Sequence, residues 1–194
     1  MCTYDLMNPG FTLIDTCLQL SKSAPGVYAE FGVFKGVSFS RILSYAKSRN
    51  KLAYAFDSFV GMAEPVEKDG ATIYHKGRFD LGGPKEFINN MQTAGHDAAL
   101  YVVVEGFIPD TLEQHRHLNF AFARVDMDQY YPTKCTLEYL LPRLHKDSIV
   151  VCDDYFEECN YGASLACKEF LRENADKVKI IKVEGRELSW KLIN

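Results

Sequence analysis

The sequence predicts an α/β protein whose mostly parallel sheet is covered by helices on both faces. Short β-rich runs alternate with segments of helical periodicity along most of the chain, which is typical of parallel sheets. The first run, 27–31, ends in a glycine turn, and apolar residues then recur at i, i+3, i+4 and i+7. The last two runs, 178–183 and 188–193, flank a Glu-Gly-Arg turn, which predicts an antiparallel hairpin at the C-terminal end.

Seven short runs with a high β propensity define the predicted strands. Each is bounded by residues that favour turns or by a helical segment. They lie at 27–31, 52–56, 100–104, 120–125, 148–152, 178–183 and 188–193. Polar residues follow several of them, and ligands of open α/β sheets bind beyond the carboxyl ends of the strands.

The segments between these strands predict helices. A first helix covers 11–20, and a second follows the glycine turn. Others begin near Lys85 and after Asp110, whose carboxylate is a suitable N-cap. A leucine stripe predicts a helix over 137–144 in which Pro142 kinks the last turn, and a final helix covers 163–171.

The chain length predicts one domain over 1–194, because 194 residues is close to the usual size of one compact domain. Residues 1–25 form a short N-terminal helical segment in this prediction. The segment 58–84 is polar, contains glycine and proline, and is longer than most loops in compact domains. We therefore expect it to be a lid or a binding segment.

Composition and charge exclude several classes of function. The formal charge of −4 leaves no basic surplus to neutralise a phosphate backbone, so we expect no nucleic-acid partner. The longest apolar stretch, 98–104, is far shorter than the roughly 18 residues of a membrane span. Asp5 stands where a signal peptide carries a basic residue, and the six cysteines form no C-x-x-C pair. We therefore expect a cytoplasmic protein with reduced thiols.

A glycine turn with flanking polar residues follows the first predicted strand, in the pattern Glu30-x-Gly32-x-x-x-Gly36-x-Ser38. Glycines let the backbone approach a ligand, and the N–H groups of the following helix face it. The third glycine of a dinucleotide fingerprint is missing. An acid two residues before the first glycine suits a nucleoside that carries an amino acid, whose ammonium group it can meet. The alternative is a tight turn without a ligand.

Asp57 follows the second predicted strand, where a nucleotide-binding unit places a carboxylate to accept hydrogen bonds from both ribose hydroxyls. Asp57 and Ser58 are equally suited to capping the next segment.

Four carboxylates follow two strands at the same edge of the sheet: Asp126, Asp128, Asp153 and Asp154. Like charges gathered there need compensation, and Mg²⁺ accepts such oxygen ligands while keeping positions open for water or a substrate hydroxyl. The alternative is a solvated acidic rim.

Among the five histidines, His75 lies in the long loop and could act as a base. The other four fall at helix ends or in surface loops, where we expect solvated side chains.

Four separated segments resemble the macrocin-type sugar O-methyltransferases, a class I family that depends on S-adenosylmethionine and Mg²⁺. They are YAEFGVFKGVSFSRI at 28–42, YAFDSFVGMAEP at 54–65, EGFIPDTL at 105–112, and RVDMDQYYPTKCTLEYLLPRL from 124 running on to VVCDDY at 150–155. The resemblance spans 26–170 in the same order and spacing. It implies a class I methyltransferase fold with a seven-stranded sheet.

The resemblance also implies a role for each matching residue. The residues that correspond to the binding site for the methionine end of S-adenosylmethionine are Glu30, Gly32, Gly36 and Ser38. Asp57 and Ser58 correspond to the ribose clamp, and Phe79 to an aromatic residue near the cofactor. The implied metal ligands are Asp126, Asp153 and Asp154. Asp128 corresponds to a carboxylate proposed as the general base in some members, and His75 is the other candidate base.

The activity implied is methyl transfer to a hydroxyl of a small molecule, with a sugar suspected as acceptor, and relatives are often homo-oligomers. Met127 and Gln129 depart from the family pattern, and the N-terminal region is short, so the acceptor rests on the relatives alone. Two alternatives remain at this point. One is an NAD-dependent oxidoreductase, and the other is a domain that binds the cofactor or a partner protein without turnover.

Overall fold

A computed structural model describes residues 12–70 and 74–193 and shows a seven-stranded sheet with six α-helices in these ranges. The strands are β1 (Val27–Phe31), β2 (Ala53–Asp57), β3 (Tyr101–Glu105), β4 (Phe120–Val125), β5 (Leu144–Cys152), β6 (Val178–Glu184) and β7 (Glu187–Leu192). The helices are α1 (Thr12–Leu20), α2 (Val37–Ser48), α3 (Lys85–Thr93), α4 (Asp110–Glu113), α5 (Tyr130–Leu140) and α6 (Gly162–Glu173).

The sheet has the strand order β3-β2-β1-β4-β5-β7-β6. The first five strands are parallel, and β7 runs antiparallel to both β5 and β6. The predicted α/β class, the mostly parallel sheet and the C-terminal antiparallel hairpin are therefore confirmed. The strand order reverses at β1, which directs the loops after β1 and β4 toward one crevice.

Two hydrophobic cores lie on the two faces of the sheet, because successive side chains of each strand point in opposite directions. Tyr28 and Phe122 belong to one core, which α1, α2 and α3 cover. Ala29 and Ala123, one residue further along the same strands, belong to the other core, which α5 and α6 cover. Both faces of β1 and β4 are buried, so their positions are fixed by packing.

The leucine stripe predicted as one helix over 137–144 divides among three elements. Helix α5 ends at Leu140, a short 3₁₀ turn covers Leu141–Arg143, and Leu144 begins β5. Pro142 has no N–H to donate, and its ring clashes with the preceding turn, so it ends the helix instead of kinking it.

The N-terminal helix begins at Thr12 in the described structure and buries Leu13, Ile14, Cys17 and Leu18. Residues 1–11 of the predicted N-terminal segment lie outside the described residues. None of the helices in the described ranges is long and apolar enough to cross a membrane.

Candidate active site

A cleft of about 250 Å³ opens where the parallel strands end. Each of the five parallel strands contributes a residue at or just beyond its carboxyl end. These lining residues are Gly32, Asp57, Gly106, Asp126 and Asp154. The cleft therefore lies where ligands bind in open α/β sheets.

The glycine turn after β1 brings the backbone directly against the end of β4. Gly32 has a φ of +86°, and a Cβ at this position would lie 1.8 Å from the carbonyl oxygen of Asp126. Gly36 does not line the cleft, and its Cβ would lie 2.5 Å from Met91 and 2.8 Å from Phe87. Gly32 thus shapes the cleft, whereas Gly36 allows α2 to pack against α3.

Glu30 is fully buried and is not among the residues that line the cleft. Its Oε1 accepts hydrogen bonds from Ser38 Oγ at 2.6 Å and from Arg124 Nη1 at 2.7 Å. Its Oε2 has no hydrogen-bond partner in the described structure. Burial raises the pKa of Glu30, while Arg124 and Ser38 oppose the rise. Ser38 also lies outside the cleft lining, so the two polar residues predicted at the methionine end, Glu30 and Ser38, bind each other and Arg124.

Asp57 and Ser58 line the cleft where the sequence predicts the ribose clamp. The Asp57 carboxylate accepts from the N–H groups of Phe34 and Phe59, both at 2.8 Å. Ser58 Oγ donates to the carbonyl of Gly61 at 2.7 Å. These bonds are the capping interactions that the alternative predicts. Because each carboxylate oxygen has two lone pairs, Asp57 also retains acceptor capacity for a ligand.

Exposed aromatic rings form part of the cleft wall. Phe79 packs edge-on against Phe34, with ring centroids 5.3 Å apart. Phe107 and Tyr131 also line the cleft, and the exposed fractions of these four residues run from 38% to 50%. Large exposed apolar groups gathered in one concave place are typical of a ligand site.

The acidic residues after β4 and β5 form a compact cluster. Ligand atoms of Asp126, Asp128 and Asp154 all lie within 4.8 Å of one another. Asp128 and Asp154 adopt left-handed backbone conformations, with φ of +56° and +55°, which aspartate tolerates better than most residues. The N–H of Ala163 donates to the carbonyl of Asp128 at 2.9 Å and fixes this turn against α6.

Asp153 lies outside this cluster and is paired with two arginines. Its Oδ2 accepts from Arg124 Nη2 at 2.9 Å and from Arg186 Nη2 at 3.0 Å. Its side chain is 1% exposed, and Asp153 is not among the residues that line the cleft. In the structure Asp128 lies beside Asp126 and Asp154, whereas the resemblance implies Asp153 as their partner in metal binding.

The sequence interpretation missed both arginines. The side chain of Arg124 is 7% exposed in β4 and pairs with Glu30, Asp126 at 2.6 Å, Asp153, and Glu187 at 3.8 Å. A charged residue inside an apolar strand must be paired. The position of Arg124 within the apolar run Phe120–Val125 could therefore have indicated a buried ion pair. Arg186 lies in the turn between β6 and β7, and no local pattern marks it as part of a site at the end of β5.

Burial in this crowded cluster raises the pKa of several carboxyl groups. The pKa of Asp126 and that of Asp154 lie well above 3.8, chiefly because of burial, and neighbouring carboxylates add to the rise. For the same reasons the pKa of Asp128 rises to about 6, and that of Glu187 on β7 rises to about 7. A cluster of this kind favours either protonation or a cation.

His75 does not enter the cleft in the described structure. Its side chain is exposed, and its Nδ1 lies 3.2 Å from the carbonyl oxygen of the neighbouring Lys76. A role for His75 as a base stays a prediction.

A sheet of this order, with an antiparallel β7 between β5 and β6 and a cleft beyond β1, β2 and β4, defines the class I methyltransferase fold. Two solved methyltransferase structures share the fold. The calicheamicin methyltransferase CalS11 superposes with a TM-score of 0.77 at 24% identity, over 93% of this chain and 77% of that chain. The O-methyltransferase NovP superposes with a TM-score of 0.77 at 22% identity, over 93% of this chain and 78% of that chain.

The chain matches the model of the macrocin-O-methyltransferase (TylF) family over residues 13–191 and belongs to that family. It is similar to an 8-demethyl-8-(2,3-dimethoxy-alpha-L-rhamnosyl)-tetracenomycin-C 4'-O-methyltransferase from Streptomyces olivaceus. The two are 26% identical over 186 residues, which is 89% of this chain and 68% of that protein. The resemblance stated from the sequence is confirmed, and the protein is an S-adenosylmethionine-dependent O-methyltransferase.

Proposed function

We propose that this enzyme transfers the methyl group of S-adenosylmethionine to a hydroxyl of a sugar or a glycosylated metabolite, with Mg²⁺ bound at the acidic cluster. The observation that carries the proposal is the convergence of Asp126, Asp128 and Asp154 on the cleft that Gly32 and Asp57 also line. The sugar acceptor is supported by relatives, since the Streptomyces olivaceus protein is named for 4'-O-methylation of a rhamnosyl compound.

The residues after β1 and β2 fit the methyl donor. Gly32 lines the cleft, where its missing side chain lets the turn pack against the carbonyl of Asp126, and Asp57 can accept hydrogen bonds from ribose hydroxyls. Phe34 and Phe79 offer ring faces to a purine. Glu30 Oε2 is a buried acceptor that lacks a partner in the described structure, which suits an ammonium donor.

The donor set of the acidic cluster fits Mg²⁺, because all of its ligand atoms are carboxylate oxygens. Asp126 and Asp154 are the two ligands that the resemblance and the geometry have in common. The resemblance makes Asp153 the third ligand, whereas the geometry places Asp128 beside the other two. Metal affinity in Asp128→Asn and Asp153→Asn separates these two assignments.

When bound, the donor supplies an activated methyl group and the cation polarises the acceptor hydroxyl. The residues of the chain position these groups and handle the proton. With Asp153 as the third ligand, Asp128 would accept the proton of the acceptor hydroxyl, since it is the carboxylate of the cluster for which the described structure shows neither a hydrogen bond nor an ion pair with an arginine. The aromatic wall excludes water and aligns the acceptor with the methyl group.

The remaining walls of the cleft are proposed to contact the acceptor. They come from the segment that contains Ala63, Glu64 and Val66, and from the start of α5 at Tyr131 and Pro132. Exposed apolar surface there suits the less polar face of a sugar ring.

The test compares Asp154→Asn with Asp176→Asn, a matched control at an exposed acid for which the structure shows no contact. Formation of S-adenosylhomocysteine is measured with rhamnosylated acceptors and nucleoside-diphosphate sugars, and binding of S-adenosylhomocysteine is measured by calorimetry. We expect Asp154→Asn to lose roughly 100-fold or more of the methyl-transfer rate and to keep its affinity for S-adenosylhomocysteine. Asp176→Asn should match the wild type in both.

Two results would overturn parts of the proposal. Full turnover of the wild type in EDTA would remove the metal from the mechanism. Binding of NADH without any response to S-adenosylhomocysteine would contradict the methyl donor.

A further inference from the structure

Arg186 connects the hairpin of β6 and β7 to the acidic cluster. Its Nη2 donates to Asp153 Oδ2 at 3.0 Å, and its Nη1 lies 3.5 Å from Asp154 Oδ1. These contacts engage two of the three carboxylates that the resemblance implies as metal ligands. Arg186 also lines the cleft.

Carboxyl groups outnumber cationic groups around the cluster in the described structure. The carboxyl groups that contact one another or an arginine there are Glu30, Asp126, Asp128, Asp153, Asp154 and Glu187. Two guanidinium groups face them, those of Arg124 and Arg186. Each cation therefore carries a large share of the compensation.

The two arginines differ in their freedom to move. Arg124 lies inside β4 with a side chain that is 7% exposed, so it is fixed by the sheet. The side chain of Arg186 is 41% exposed. Its carbonyl accepts from the N–H of Tyr155 at 2.8 Å, which anchors the turn to the end of β5. The guanidinium can thus rotate into solvent without movement of the hairpin backbone.

We propose that Arg186 is a tethered counter-cation that competes with the divalent metal for Asp154, and that it thereby sets the metal affinity of the site. The inference rests on the proposed metal site and adds a control of its affinity. Both arginines donate to Asp153 Oδ2, so Asp153 stays paired with Arg124 when Arg186 withdraws. Asp154 loses its arginine and becomes available as a ligand.

The size of the effect follows from the charges. A positive charge that pairs with a carboxylate of the site, as Arg186 Nη1 does with Asp154 Oδ1 at 3.5 Å, opposes cation binding there even at the dielectric of a protein surface. Removal of the Arg186 charge should therefore tighten Mg²⁺ binding by about tenfold or more.

The experiment measures Mg²⁺ binding to the full chain by isothermal titration calorimetry, without a methyl donor or an acceptor. Arg186→Gln is compared with the wild type and with Lys179→Gln, which removes the same charge from an exposed position on the same hairpin. We expect a dissociation constant about tenfold lower for Arg186→Gln and an unchanged one for Lys179→Gln. Equal dissociation constants in all three proteins would overturn this inference and leave the metal site intact. Absence of Mg²⁺ binding in all three would overturn both.

Thermal unfolding supplies a second readout that does not depend on activity. In EDTA, Arg186→Gln should melt below the wild type, because the carboxylates lose a partner, and Mg²⁺ should raise its melting temperature by more than that of the wild type. Arg186→Lys keeps the charge and should retain the affinity of the wild type for Mg²⁺ within about threefold. An Arg186→Lys variant that binds Mg²⁺ as tightly as Arg186→Gln would contradict competition by charge.

Discussion

Glu187 shows how a single side chain links the stability of this protein to pH. It begins β7, its side chain is 14% exposed, and it lies 3.8 Å from Arg124. Burial raises its pKa from 4.5 to about 7, and Asp153 adds to the rise while Arg124 opposes it. The folded state therefore holds this proton at a pH where the unfolded chain has released it.

The sign of the pH dependence follows from the raised pKa. As the pH rises from 4.5 to about 7, the unfolded chain releases the proton freely, while the folded protein must ionise a buried group. We expect the free energy of unfolding of the metal-free protein to fall over this range, by at most about 3 kcal/mol from Glu187.

Urea unfolding in EDTA at several pH values measures this contribution. Glu187→Gln should flatten the pH profile relative to the wild type, because glutamine does not titrate. Asp176→Asn is the control, since Asp176 is an exposed acid beside the same hairpin for which the described structure shows no ion pair. Parallel profiles for the wild type and Glu187→Gln would contradict the assignment.

At the scale of an element, the segment predicted as a lid is fastened to two helices. Residues 58–70 and 74–84 contain one short 3₁₀ turn, Glu67–Asp69, and an isolated bridge between Val60 and Asp80. Asp69 is 2% exposed and accepts from the N–H of Tyr130 at 2.5 Å, at the start of α5. Lys68 donates to Glu169 of α6 at 2.9 Å. This part of the segment is a wall of the cleft.

Asp69→Ala should release that wall. The carboxylate also accepts from Val66 at 2.8 Å, so its removal leaves two N–H groups without this partner. We expect a loss of about 1–3 kcal/mol in the free energy of unfolding and faster hydrogen exchange at Val66 and Tyr130. Glu67→Ala removes the same charge from an exposed position of the same turn and should leave both unchanged. Unaltered exchange at Val66 in Asp69→Ala would show that other contacts hold the wall.

At the scale of the whole molecule, the sequence predicted the sheet better than the site. Strands 27–31 and 120–125 agree with the structure at both ends, because both are buried and bounded by turns. The other five strands differ at one or both boundaries, since boundaries depend on pairing with neighbours that are distant in the sequence.

The placement of the candidate residues was predictable where it depends on strand ends. Asp57, Asp126 and Asp154 line the cleft because they lie at or just beyond the ends of parallel strands. The partners of Asp153 could not be found in the same way. Arg186 reaches it from an element 33 residues further along the chain, and this proximity exists only once β7 has paired with β5.

Arg124 ties four strands together, and its loss should affect the stability of the entire fold. Its partners are Glu30 in β1, Asp153 directly after β5 and Glu187 in β7. Arg124→Met would leave these buried carboxylates without their shared cation, for a loss of about 3–5 kcal/mol. Because the partners meet only after the strands have paired, we expect most of this loss as faster unfolding and little as slower folding.

The single tryptophan offers a probe for that measurement, since Trp190 is fully buried against Phe170. Stopped-flow fluorescence of Arg124→Met is compared with that of Arg172→Met, which replaces an exposed arginine of α6. An equal unfolding rate in the two variants would contradict a global role for Arg124.

The close approach of Gly32 to the carbonyl of Asp126 couples the proposed donor side of the cleft mechanically to the proposed metal side. A ligand that orders the turn after β1 also orders the backbone that carries Asp126, because no atom separates the two beyond the glycine hydrogens. Binding of one ligand therefore reduces the entropy that is lost when the other ligand orders the cleft. By thermodynamic reciprocity, if the cation raises the affinity for the donor by some factor, the donor raises the affinity for the cation by the same factor.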